Sequence, residues 1–248
     1  VIEKIALMNS GEESMTDNVD SQNLRWTTEL SSALKQQLVT LAKRKQVVER
    51  DLDNSRLINQ GVNFLEQGTL AVCIQTPNLK TANCIIIGKG GWFGNYIDST
   101  SSLSSFVFIE IEPCTVVNFN NEQLRDITKS SHEIYKWFYS LTFESRAKWL
   151  QSQLINSEAL NVRVVYQILE ILAHLDQHRT CNEIAISQQQ LSEMTGIARQ
   201  RVNEVMKQLE RARLVELNRS KIIINDVSQL SNQLDGIDLS IRDPRHFL

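Results

Sequence analysis

The 248-residue chain has no closely spaced pair of cysteines. Cys73, Cys84, Cys114 and Cys181 stand too far apart for the CxxC spacing that makes a zinc or iron-sulfur site legible, so they read as small apolar packing residues in a reducing compartment. No apolar run approaches the roughly 20 residues of a membrane helix, and the N-terminus lacks the basic, apolar and small-residue succession of a signal peptide. A soluble, cytoplasmic protein with no membrane partner is expected. There is also no P-loop, dinucleotide fingerprint, nucleophile elbow or carboxylate-histidine cluster in a supporting strand-helix context. His132, His174, His178 and His246 are scattered along the chain. The expectation is therefore no catalytic residue, no metal, no cofactor and no enzyme. A net charge of -3 excludes a uniformly basic nucleic-acid coat, so any nucleic-acid contact must come from a local patch.

What is present divides by texture, and the length allows two domains. Residues up to about Gln22 are polar and without a period. Leu30, Leu34, Leu38 and Leu41 recur every three or four residues, which predicts a helix over 24–45 with one apolar stripe. Short apolar runs follow at 70–74, 84–87, 106–111 and 115–119, punctuated by Gly61, Gly68, Gly88 and the Gly90-Gly91 pair. This is the pattern of a small antiparallel barrel or sandwich. Helical texture resumes at Gln123. Ile134, Trp137, Phe138, Leu141, Trp149, Leu150 and Leu154 then make an apolar surface too broad for one narrow seam. A long helix packing on its own domain along one side and on a second subunit along the other explains that breadth; an ordinary core helix within one chain is the alternative. A further helix is predicted from Leu160 to about Leu175.

The last third carries the most specific signal. Ser187 can cap a short helix over 188–194, and Thr195-Gly196-Ile197 supplies a break in which glycine tolerates positive φ. In the next helix, at 100° per residue, Val202, Val205, Met206 and Leu209 gather on one side, and Arg199, Gln200, Asn203, Glu204 and Lys207 on the other. The polar set suits base edges, since Arg can grip guanine, Gln or Asn can pair with adenine, and Glu can accept from cytosine. A merely solvated amphipathic helix would show the same split, so context decides. Val215-Glu216-Leu217, a turn at Asn218-Arg219-Ser220 and Lys221 to Ile224 read as a two-stranded wing. From Gly196 to Lys221 there are seven basic residues (Arg199, Arg201, Lys207, Arg211, Arg213, Arg219, Lys221) and three acidic (Glu204, Glu210, Glu216), a local excess of +4 suited to phosphate.

On these residues the chain resembles the catabolite-activator and fumarate-nitrate-regulator (Crp/Fnr) family of bacterial regulators. Ile186 to Leu191, Gly196, Arg199, Val202, Leu209 and the wing at Lys221 to Ile224 carry the likeness, as does the order of β-roll, long helix and winged helix-turn-helix over roughly 24–225. The resemblance implies an α+β fold, with a β-roll sensor-like domain at 22–130, a dimerisation helix at 131–156 and a winged helix-turn-helix with tail at 157–248. It implies DNA contacts from Ser187, Gln188, Arg199, Gln200, Arg201, Asn203, Glu204, Lys207, Arg219 and Lys221, with double-stranded DNA carrying a palindromic operator, a second copy of the chain and RNA polymerase as partners. Gln200 and Glu204 stand where many members have Glu and Arg, so the usual half-site is not implied. The candidate effector pocket is Gly94, Asn95, Ser104, Ser105 and Trp149. Gly90 to Asn95 is similar to the family's G-D-x-F-G-E turn, with Gly91 in place of the acid and Asn95 in place of the ribose-holding glutamate. Ser104-Ser105 offers no cation to a cyclic phosphate. An unidentified effector, or none, is expected rather than cyclic AMP. The competing reading is a protein-interaction adaptor with a degenerate ligand domain.

Overall fold

A computed structural model describes residues 19–47, 61–76, 78, 80–96, 106–175 and 182–248. The helix expected over 24–45 is shorter than its leucine spacing suggested. Helix α1 spans Ser32–Leu41, started by the Ser31 side chain accepting from the Leu34 amide. Leu24 and Leu30 are buried from non-helical backbone instead, and Lys43–Gln46 forms strand β1 against residues 115–118.

Four more strands complete one antiparallel sheet: β2 (Gly61–Gln75), β3 (Thr81–Ile87), β4 (Trp92–Gly94) and β5 (Phe106–Asn120), in the order β1-β5-β2-β3 with β4 also on β2. The runs at 106–111 and 115–119, expected as two strands, are one, and β2 begins nine residues before the run that announced it. Gly68 lies inside β2, where the register against β5 shifts between Leu65 and Leu70. Its φ of 90° and the Pro113 carbonyl, 2.3 Å from where a Cβ would sit, make it a bulge that bends the strand rather than a turn that ends it.

Alternation along β2 and β3 sends their residues into two cores. Leu70, Val72, Ile85 and Ile87 pack within the roll with Phe93, Phe108 and Val116. Ala71, Cys73, Cys84 and Ile86 face the other way and join the core of the C-terminal half. A strand pair covered on both faces must be apolar at every position, which is why 70–74 and 84–87 read as unbroken runs. At the far end of the roll Trp26, Phe64, Trp92, Phe119 and Trp137 form an aromatic cluster, with ring centroids 4.9 to 6.4 Å apart.

Helix α2 (Asn121–Ser130), capped by Asn120, leads to the long helix α3 (Ile134–Ile155), about 33 Å long at 1.5 Å per residue. Its inner face is Ile134, Trp137, Leu141 and Ile155. Leu141, only 6% exposed, belongs to the roll's own core; the outward apolar residues are Tyr135, Tyr139 (71% exposed), Phe143 (59%), Leu150 and Leu154. Helix α4 (Leu160–Leu172) follows and is buried along most of its length. Then come β6 (Glu183–Ile184), α5 (Gln188–Thr195), α6 (Arg199–Arg211), β7 (Val215–Asn218), β8 (Lys221–Ile224) and α7 (Val227–Asn232). Strands β6, β8 and β7 form a second antiparallel sheet, so the wing has three strands where two were expected. Among the described residues no helix is long and apolar enough to cross a membrane, and no three His, Cys, Asp or Glu side chains gather as a metal site. Cys73, Cys84 and Cys114 are buried free thiols; Cys181 lies outside the described residues.

Candidate nucleic-acid interface

The first helix and the turn of the helix-turn-helix are fixed by short-range bonds that the sequence dictates. The Ser187 hydroxyl accepts from the Gln190 amide at 3.1 Å while Gln190 Oε1 accepts from the Ser187 amide at 2.9 Å, a reciprocal capping box that starts α5. At the other end Gly196 adopts φ 64°, ψ 15°, the left-handed cap that releases the chain into the turn. The turn is then tied down. Ser192 Oγ donates to the Ile197 carbonyl at 2.6 Å, and Arg163 of α4 donates to the Thr195 carbonyl at 2.7 Å.

Helix α6 divides by face as its sequence requires. Val202, Val205, Met206 and Leu209 are buried with Leu191, Met194 and Ile197. Arg199, Gln200, Arg201, Glu204 and Lys207 are exposed, and Asn203 is half-buried beside them. One helix therefore presents a polar, donor-rich strip that its own core does not use. The wing hairpin turns at Arg219 and Ser220, and Glu210 of α6 accepts from the Leu217 amide at 3.2 Å, fastening β7 to α6.

Several side chains have intramolecular roles that the sequence did not disclose. Lys221 Nζ lies 2.6 Å from Glu183 Oε1, and Arg201 pairs with Glu204 at 3.0 Å. The Arg201–Glu204 pair is exposed and therefore weak, whereas Glu183 is half-buried; since Glu183 lies outside the counted stretch, it compensates part of the +4 through Lys221. Ser187 spends its hydroxyl on the cap. Gln188 is the first residue of α5 and half-buried.

The candidate effector residues divide. Asn95 and Trp149 line one cleft of about 420 Å³ between the end of β4 and the outer side of α3, together with Tyr139, Phe143, Arg146 and Leu150. Gly94 ends β4 next to Asn95, and Ser104 and Ser105 lie outside the described residues. Arg146 was missed by sequence reasoning, although its position one helical turn before Trp149 was the available signal. It brings to the cleft a cation that the reading of Ser104 and Ser105 did not consider.

The roll also touches the motif directly. The Thr81 hydroxyl, at the start of β3, donates to the Glu193 carbonyl, and a Cβ on Gly196 would stand 2.3 Å from the Thr81 carbonyl oxygen. The turn between α5 and α6 is thus seated on the β2–β3 hairpin.

Comparison with known proteins agrees with this arrangement. Residues 162–233 match the Crp-like helix-turn-helix domain family. No curated protein matches the chain in sequence. Among solved structures, a Crp/Fnr-family protein from Eubacterium rectale superposes with a TM-score of 0.65 at 17% identity, over 85% of this chain and 98% of that one. The c-di-GMP-responsive regulator CLP of Xanthomonas campestris gives 0.56 at 13% identity, over 79% and 100%. A CRP-family transcriptional regulator from Thermus thermophilus gives 0.55 at 15%, over 77% and 95%. The chain thus carries a Crp-like helix-turn-helix domain at residues 162–233, on the β-roll and long-helix fold of the Crp/Fnr regulators.

Proposed function

We propose that the protein is a homodimeric, sequence-specific DNA-binding transcription regulator. Residues 22–130 form its sensor-like roll, 131–156 its dimerisation helix and 157–248 its DNA-binding part. The observation that carries this reading is α6: a helix held by its own core, the preceding turn and the wing, yet leaving Arg199, Gln200 and Glu204 exposed and Asn203 half-buried beside them. Those groups match the donor and acceptor patterns of base edges in a major groove. Lys207 and Arg219 flank them for phosphate, and Arg201 and Lys221 can join by releasing Glu204 and Glu183.

Tyr139, Phe143, Leu150 and Leu154 support a second copy of α3 as the dimer partner, since they form an apolar strip running along an outer helix face. Two copies related by a two-fold axis would place two α6 helices on a palindromic operator, where the protein would recruit or block RNA polymerase. Replacing Tyr139 and Phe143 together with Glu should give monomers by sedimentation without unfolding the roll. Leu141 is unsuitable for this test because it is buried in its own subunit.

The cleft beside Asn95 supports an effector other than cyclic AMP. Asn95 is uncharged where a ribose-holding acid is needed, and Arg146 approaches from the helix among aromatic rings. Selection from randomised duplex DNA tests the whole reading. A recovered palindrome bound by the dimer is expected, with no gain on adding cyclic AMP or cyclic GMP. Failure to enrich any sequence contradicts the DNA reading, and a tenfold gain with a cyclic nucleotide, about 1.4 kcal/mol of coupling, contradicts the effector reading.

A further inference from the structure

The segment after the matched helix-turn-helix domain folds back across the molecule instead of trailing from it. Leu234 and Leu239 are buried in the shared core, and the chain then crosses the outside of α3 and α4. Gln151 of α3, fully buried, gives both ends of its amide to this crossing: Nε2 donates to the Asp238 carbonyl at 2.8 Å, and Oε1 accepts from the Arg242 amide at 3.2 Å. Arg242 continues to α4, where its Nε donates to Glu170 Oε1 at 2.7 Å, and its guanidinium lies 4.6 Å from the Phe247 ring centroid. The crossing therefore grips both sides of the 156–159 connection, which joins the long helix to the half that contains α5 and α6.

Beneath it lies an unbalanced set of buried charges. Lys148 of α3 donates to the Ile86 carbonyl of β3 at 2.8 Å and to His174 Nε2 at 3.0 Å, while Glu170 Oε1 is 3.8 Å from the other nitrogen of the same imidazole. Two cations, Lys148 and Arg242, thus share the field of one carboxylate, which only Arg242 touches. Enclosure first, and the neighbouring Arg242 charge second, push the Lys148 ammonium down to about 8. The second oxygen of Glu170 is buried and accepts no hydrogen bond. Beyond residue 239 Pro244 is the buried apolar residue of the crossing, while Ile241, Phe247 and Leu248 stay exposed. Its attachment is mainly polar and directional, which is a cheap attachment to undo.

We propose that residues 238–248 are a releasable strap that locks the half containing α4, α5 and α6 to α3, with Glu170 paired to Arg242 in the docked state and to Lys148 in the released state. Docking holds α6 at one angle to the long helix. In a dimer this presets the separation of the two α6 helices and spares the DNA complex that ordering cost. The DNA consequence rests on the function proposed above; the two states of the strap do not.

Hydrogen exchange on the full chain tests the strap, because the two cations pull its equilibrium in opposite directions. Arg242→Gln removes the docked-state partner of Glu170 and should speed exchange of the amides in 238–248 at least tenfold. Lys148→Met removes the released-state partner together with the charge that repels Arg242, and should slow the same amides at least threefold. Gln151→Leu, which breaks both strap bonds to α3 without altering charge, should repeat the Arg242→Gln result and replaces it if that variant does not fold. On a duplex recovered by selection, Arg242→Gln should bind at least threefold more weakly than wild type and Lys148→Met no more weakly. Strap exchange within twofold of wild type in all three variants, or moving the same way in Arg242→Gln and Lys148→Met, overturns the proposal. Altered exchange in the predicted directions with unchanged DNA affinity overturns its coupling to α6. If wild type selects no duplex, the reading of α6 fails, and exchange alone decides the strap.

Discussion

Lowering the pH from 7 to 5 should cost this fold about 2 kcal/mol at His174 alone. The ring is nearly buried, and its Nδ1 lies 2.8 Å from the Glu170 carbonyl, which can only accept. Nδ1 therefore carries the proton, and Nε2 is left to accept from Lys148 at 3.0 Å. A second proton on Nε2 would point at an ammonium. Burial first and the Lys148 charge second push the imidazole down from 6.5 to about 3, with Arg242 adding to the effect against the opposing bond to the Glu170 carbonyl. The Glu170 carboxylate does not compensate because Arg242 already engages it. The folded-state value lies below the unfolded one, so the unfolded chain binds the extra proton between about pH 6.5 and 3. The associated stability is complete above 6.5 and is lost as the pH falls through that window. Over the 1.5 units from 6.5 to 5, at 1.36 kcal/mol per unit, the loss is about 2 kcal/mol. Urea unfolding at fixed protein concentration measures it, with His174→Gln as the reference, since glutamine keeps an acceptor for Lys148 but cannot titrate. Wild type should lose about 2 kcal/mol more than the variant between pH 7 and 5. Parallel losses, or an imidazole titrating near 6.5 by NMR, would refute the neutral, buried assignment.

Two further outcomes follow from the local geometry of the helix-turn-helix. Ser187→Ala removes one half of the capping box and should lower stability by about 1 kcal/mol, read as a shift in denaturant midpoint with unchanged slope. Gly196→Ala should cost more, about 2–4 kcal/mol. It combines a left-handed backbone unfavourable to alanine with a Cβ 2.3 Å from the Thr81 carbonyl oxygen, and should loosen the β2–β3 hairpin from α5 by hydrogen exchange. A loss under 1 kcal/mol would mean that the turn does not sit against the roll.

The features legible in the sequence are those set by neighbours in the chain. The Ser187 cap, the Gly196 break and the two faces of α6 depend on spacings of a few residues, and the structure contains each of them. Elements whose shape depends on distant partners were read less well. Leu30 continues the spacing of α1 but is buried from non-helical chain, because apolar spacing records burial without recording backbone conformation. Gly68 reads as a turn and is a bulge, since what demands it is the Pro113 carbonyl of another strand. On α3 the apolar residues surround the helix, so no moment distinguishes Leu141, which faces the roll, from Tyr139, which faces outward. The meeting of Lys148, Glu170, His174 and Arg242 spans nearly a hundred residues and leaves no periodic trace. Arg146 was hidden for the opposite reason: an exposed arginine on a helix is ordinary until the fold places it in the same cleft as Asn95.

The central claim is that α6 reads bases with Arg199 while Lys207 only holds phosphate. Its most direct test measures the affinity of wild type, Arg199→Ala and Lys207→Ala for every single-base variant of the selected operator. Arg199→Ala should flatten the preference at one base pair of each half-site, losing about 1–3 kcal/mol of discrimination there and leaving the other positions unchanged. Lys207→Ala should weaken all variants alike and reduce the salt dependence of binding. An Arg199→Ala profile that superimposes on wild type at every position would contradict the account.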